Sequence, residues 1–149
     1  MDGVLADFDG QPNALKRFNN EKGFFQTLKP TCLATELNIW LGQSAELRER
    51  VFILSASPNL QADQDKWVWL NMYMPNLKAE NIKIVRNDEK VSQRKAEFAE
   101  RNAILVDDYS QNLIAWTKLG GKGVKCLNGR NGKGKTWKGE TLKLETTLG

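Results

Sequence analysis

Ile104-Leu105-Val106-Asp107-Asp108-Tyr109-Ser110-Gln111-Asn112 opens on an apolar run too short for a helix and closes on two carboxylates. Apolar residues on consecutive rather than alternate positions mark a strand covered on both faces. Val51-Phe52-Ile53-Leu54-Ser55-Ala56-Ser57-Pro58 has the same construction, with hydroxyls at its end instead of acids. Ile82-Lys83-Ile84-Val85 and Gly123-Val124-Lys125-Cys126-Leu127 are weaker strand candidates. Helical spacing lies between them: Leu33, Leu37, Trp40 and Leu41 on one face, Trp67, Leu70 and Met74 on another, and Leu113, Trp116 and Thr117 on a third. Asp63 and Ser110 are expected helix N-caps, and Gly120-Gly121 an expected helix stop. Strand and helix in alternation predict an α/β fold, a parallel sheet covered on both faces. In such sheets ligand groups collect at the carboxyl ends of the strands, where Ser55, Asp107 and Asp108 fall.

Composition narrows the chemistry. With 149 residues and 40% hydrophobic content, a single domain over 1–149 is expected. No apolar run approaches the roughly 18 residues of a membrane span, so a soluble protein without a membrane partner is expected. There is no basic-then-apolar leader, and Cys32 and Cys126 are too few for a disulfide framework; together these predict a reducing, cytoplasmic setting. The absence of histidine excludes Ser-His-Asp and Cys-His catalysis and histidine-based zinc sites. Carboxylates, hydroxyls and lysines must carry any reaction. Net charge is +4, and no acid occurs over 109–139 while Lys118, Lys122, Lys125, Arg130, Lys133, Lys135 and Lys138 accumulate. A basic extension over approximately 128–149 would attract phosphate-bearing substrates or a nucleic-acid backbone, or is simply a solvated loop.

The amino-terminal stretch Met1-Asp2-Gly3-Val4-Leu5-Ala6-Asp7-Phe8-Asp9 resembles the end of the Asp-x-Asp-Gly-Val signature of the haloacid dehalogenase-like superfamily, in the form used by the 5'(3')-deoxyribonucleotidases. Gly23-Phe24-Phe25-Gln26-Thr27-Leu28-Lys29-Pro30 resembles the segment before that family's second motif. The stretches ending in Ser55 and in Asp107-Asp108 resemble its second and fourth motifs, and the four occur in order over roughly 1–127. The resemblance implies a three-layer Rossmann-like fold of the haloacid dehalogenase type, with the strand of motif I truncated. It also implies a reduced cap over approximately 13–29. In this register Asp2 is the second carboxylate, which shuttles the leaving-group proton, and the nucleophile would precede Met1.

The resemblance further implies a magnesium ion held by Asp2 and by Asp107 or Asp108, one sequence leaving that choice open. It makes Ser55 a phosphate contact and gives a motif III lysine the charge of the aspartyl-phosphate, with Lys95 first and Lys90 second. Asp2, Ser55 and Lys95 are then the catalytic set, and Phe8, Ser55, Ala56 and Lys90 the substrate contacts. The implied substrate is a nucleoside monophosphate. Asp7-Phe8-Asp9-Gly10 offers a shifted register with its own Asp pair, although Gln11-Pro12 follows where the motif wants Val or Thr. Two alternatives stand beside this reading: a non-catalytic remnant that binds nucleotide or a partner, and a phosphatase of nucleic-acid ends. Oligomeric state is left open.

Overall fold

The computed structural model describes residues 1–131 and 136–144, so 132–135 of the expected basic loop and the last five residues lie outside the described residues. Helices α1 (Ala14–Asn20), α2 (Cys32–Gln43) and α3 (Ala45–Arg50) precede strand β1 (Ile53–Ser57). Then follow α4 (Leu60–Tyr73), β2 (Ile82–Arg86), α5 (Val91–Ala96), β3 (Ile104–Asp107), α6 (Ser110–Lys118), β4 (Lys122–Leu127) and β5 (Glu140–Lys143). The fold is mixed α/β with every strand pair parallel, as the alternation predicts. No helix among the described residues is long and apolar enough to cross a membrane.

The sheet is divided. β1 pairs only with β2, from Ile53 opposite Ile82 to Ser57 opposite Arg86, while β3, β4 and β5 form a second sheet in that order. The amino-terminal residues of β1 and β3 line one groove and their carboxyl ends line another, so the two strands run the same way with a gap between them. Strand β5 escaped the sequence reading because it carries no apolar signal: all four of its residues are exposed.

Helix details depart from expectation at four points. Asn59, not Asp63, caps α4: its Oδ1 accepts from the Ala62 amide at 2.9 Å. Asp63 sits one turn further in and pairs with Arg86 at 3.1 Å. Ser110 is the first residue of α6 rather than its cap, and its hydroxyl accepts from Lys125 Nζ at 2.7 Å. The inner face of α4 carries Ala62, Lys66, Trp69 and Leu70, a 3.6-residue spacing that buries Trp69 rather than Trp67. On α2, Leu33, Leu37 and Leu41 pack on the core as expected, but Trp40 is 48% exposed. Gly120, at φ +95, ends α6 as expected, since an L side chain rarely adopts that conformation.

The main core joins Val4, Leu5 and Ala6 to Phe18, Phe24, Phe25 and Leu28, and to Leu41, Ile53, Trp69, Leu70 and Met74. A second, smaller core of Leu105, Leu113 and Trp116 packs against Leu54, Ala103 and Trp137. Residues 1–6 are not an extended strand. The Met1 carbonyl accepts from the amides of Leu5 and Ala6 at 2.8 and 3.2 Å, so the chain turns tightly and Asp2 bridges to Ala6. Gly3 takes φ +71 in that turn, where an added Cβ would also collide with the Asp108 carboxylate.

Candidate active site

A cleft of about 690 Å³ opens where β1 and β3 end. It is lined by Asp2, Phe8, Ser55, Ala56, Lys95, Asp107 and Asp108, so seven of the eight singled-out residues come together. The eighth, Lys90, does not line it. Its backbone amide donates to Asp88 Oδ1 at 2.9 Å, in a loop that Arg94 clamps through a 2.7 Å contact with the same carboxylate. That loop turns Lys90 outward. Lys95, at the last turn of α5, points inward instead.

Asp107 is held on every side. Its Oδ2 accepts from Lys95 Nζ and Asn112 Nδ2, each at 3.1 Å, and its Oδ1 from the Tyr109 amide at 2.9 Å. Burial works to raise its pKa, but Lys95 and the Met1 α-amino group outweigh it and keep the carboxyl below its ordinary range. Asp108 is the opposite case. Burial and then the neighbouring Asp107 push its carboxyl up to about 8, with Asp9 and Asp2 adding to the rise. Two adjacent acids thus diverge because one faces cations and the other faces carboxylates.

The residue that sequence reasoning missed is Lys66. Fully buried on α4, its Nζ donates to Ser55 Oγ at 2.7 Å and to the Ala56 carbonyl at 2.5 Å, and lies 2.9 Å from Asp2 Oδ1. The Asp2 contact is an ion pair by distance without hydrogen-bond geometry, because Oδ1 makes no well-angled bond. Nζ also sits 4.9 Å over the Phe18 ring and 5.0 Å over Phe25, a placement that suits a cation. Burial lowers its pKa, and Asp2 acts against that fall. The available signal was a lysine in helical register with Ala62, Trp69 and Leu70.

Phe8 touches Phe18 and Phe24 edge-on at 5.5 and 6.2 Å, so it belongs to the aromatic cluster of the expected cap as well as to the cleft wall. Asp7 and Asp9 lie in a turn rather than at the end of a sheet strand. Asp7 accepts from the Gly10 amide at 3.1 Å and Asp9 from Asn128 Nδ2 at 3.0 Å. Among the described residues no three acidic or cysteine side chains gather as a ready-made cation cage. Asp2 and Asp107 each face a lysine instead. Chemically the cleft offers the Lys95 ammonium, the Ser55 hydroxyl and the carboxylates of Asp2, Asp107 and Asp108, with a second ammonium, Lys66, buried behind Ser55 and Asp2. No protein-family model matches the chain, and no curated protein matches it.

Proposed function

We propose that the cleft is a phosphate-ester site and that the protein is a magnesium-dependent phosphomonoester hydrolase acting on nucleoside monophosphates in the cytoplasm. The observation that carries this reading is the meeting of Asp2, Ser55, Lys95, Asp107 and Asp108 at the carboxyl ends of two parallel strands. Lys95 would offset phosphate charge and Ser55 would donate to a phosphate oxygen, while Lys66 from behind would hold the Ser55 hydroxyl in place. Asp108 has Asp107, Asp9 and Asp2 as like-charged neighbours, a repulsion that a hard divalent cation would relieve beside the Lys66 and Lys95 ion pairs. Asp2, Asp107 and Asp108 would hold that cation, and magnesium there would supply charge neutralisation on the phosphate. The motif register puts the attacking carboxylate one residue ahead of Met1. That carboxylate displaces the ester oxygen from phosphorus, and Asp2 gives the leaving oxygen its proton. Asp2 then takes a proton from the water that hydrolyses the acyl-phosphate.

The test is a chain extended ahead of Met1 by an apolar strand ending in Asp, assayed with p-nitrophenyl phosphate, nucleoside monophosphates and 5'-phosphorylated oligonucleotides. Magnesium-dependent release of phosphate is expected, reduced about 100-fold or more by Asp2→Asn and by Lys95→Met. Oligonucleotides hydrolysed in preference to mononucleotides would move the substrate to nucleic-acid ends. Turnover by the unextended chain would move the attacking role to Asp7 and Asp9. A second reading, nucleotide binding without cleavage, is favoured by the Lys66–Asp2 and Lys95–Asp107 ion pairs, which engage two of the working carboxylates. Calorimetric binding of a nucleotide with no phosphate release from the extended chain would select it.

A further inference from the structure

The residues that would meet phosphate occupy only part of the cleft where β1 and β3 end. Leu15 and Tyr109 line it as well, from α1 and from the loop between β3 and α6. Leu15 is 58% exposed and Tyr109 54%. Single exposed apolar side chains are ordinary on a protein surface; two in the same cleft as an ammonium and several carboxylates stand where the apolar part of a ligand would lie. Both are firmly rooted. The Tyr109 amide donates to Asp107 Oδ1 at 2.9 Å, on the carboxylate that Lys95 also holds. Leu15 lies one helical turn before Phe18, which is buried in the core. Phe8 lines the cleft too, but its ring is already engaged by Phe18 and Phe24. Helices α5 and α6 add carboxamides to the same space: Gln93 and Gln111 line it and are exposed, each with an NH₂ donor and a carbonyl acceptor.

We propose that Leu15 and Tyr109 hold the face of a nucleobase and that Gln93 and Gln111 bond its edge, so that these four residues set which phosphate esters the cleft prefers. An aromatic and an aliphatic side chain beside two carboxamides match a flat, uncharged ring whose faces are apolar and whose edge carries both donors and acceptors. A sugar phosphate without a base leaves both features unused. Tyr109 contributes more than Leu15, because a base stacks on an aromatic face whatever its sequence of edge groups. Discrimination between bases falls to the two glutamines, whose amides can turn to present either a donor or an acceptor. This subsite rests on the phosphate-ester reading of the cleft and supplies the organic half of its substrate. It also links the two halves, since the backbone that carries the Tyr109 ring is fixed by Asp107.

The experiment measures binding rather than turnover, by calorimetry on the 149-residue chain with magnesium present. The ligands are AMP, GMP, CMP and UMP, with ribose 5-phosphate and adenosine as the two halves. AMP is expected to bind about tenfold or more tighter than ribose 5-phosphate, the difference being the base. Tyr109→Ala keeps the backbone amide that holds Asp107, and is expected to bring AMP to the affinity of ribose 5-phosphate while leaving ribose 5-phosphate itself unchanged. Leu15→Ala is expected to act in the same direction more weakly, and Tyr109→Phe to retain the gain. Gln93→Ala and Gln111→Ala are expected to shrink the differences among the four nucleotides, which a loss of stability alone would not do. AMP bound no tighter than ribose 5-phosphate, or Tyr109→Ala weakening both ligands equally, would overturn the subsite and leave the phosphate site standing. Adenosine bound in a Tyr109-dependent way, with ribose 5-phosphate not bound, would keep the subsite and overturn the phosphate reading instead. Absence of binding by all six ligands would overturn both.

Discussion

Lys66 shows how much one buried charge organises. An ammonium that has lost its water must find partners, and here it finds Ser55, the Ala56 carbonyl, Asp2 and two aromatic faces. Those contacts tie α4 to the end of β1 and to the amino-terminal turn. Lys66→Met keeps the volume but leaves Asp2 and Ser55 without their cation, and is expected to cost about 2–4 kcal/mol in urea unfolding. A cost near zero would show that the pair only breaks even with its desolvation. Cys126 behaves differently, since its thiol is fully buried and donates to the Gly3 carbonyl at 3.7 Å. Burial, and then Asp108, push it up to about 12. The folded state therefore prefers the protonated thiol. Its contribution to stability is complete below the unfolded value of about 8.5 and is lost as pH rises from there toward 12. In a Cys32→Ser background, Cys126 is expected to resist a thiol reagent at pH 8 until urea is added, and Cys126→Ala should flatten the alkaline loss of stability.

α4 is the element on which the cleft's walls depend. Its outer turns hold the segment that follows α1: Asp65 accepts from the Gly23 amide and Gln26 Nε2, each at 2.8 Å, and from Gln61 Nε2 at 3.0 Å. Trp69 Nε1 donates to the Leu28 carbonyl at 2.9 Å, while its ring packs 6.1 Å from Phe25. A buried carboxylate with three amide donors and no basic partner among the described residues is a docking point for the segment that carries Gly23 and Gln26. Asp65→Ala strands those donors and is expected to cost about 2–4 kcal/mol. Faster tryptic cleavage after the exposed Lys22 would show that the segment has come away from α4. Unchanged cleavage with lowered global stability would show that Asp65 acts on the core instead.

The whole molecule has two cores of unequal size meeting at a gap in its sheet. The larger gathers the amino-terminal turn, the aromatic residues after it, and α2, β1 and α4. The smaller rests on Leu105, Leu113 and Trp116 with partly buried neighbours. Hydrophobic stabilisation scales with apolar area removed from water, and among the described residues no backbone ladder joins the halves across the gap. Opening of β3 and α6 is therefore expected at lower free energy than opening of α4. Native-state hydrogen exchange should show Leu105 and Leu113 amides exchanging through a sub-global event, with Leu70 protected up to the global limit. A single protection energy for all three would mean that the halves fold as one unit.

Sequence alone determined the parallel α/β character, because unbroken apolar runs such as 104–106 have few other homes and helical spacing separates them. It also placed Ser55, Asp107 and Asp108 together, since carboxyl ends of parallel strands converge whatever the details of packing, whereas Asp2, Phe8, Ala56 and Lys95 were expected only from the family resemblance. Tertiary structure decided the rest. Lys66 became a site residue only when α4 turned its Ala62–Leu70 face inward, because helical register alone does not tell a buried lysine from one at the solvated edge of an apolar face. Lys95 and Lys90 were separated by the Asp88–Arg94 clamp, an interaction six residues apart that fixes a loop's direction. The unlike protonation of Asp107 and Asp108 came from which of the two faces Lys95, and adjacent letters carry no such information. The division of the sheet was decided by pairing between distant segments, a long-range choice that short apolar runs permit but do not specify.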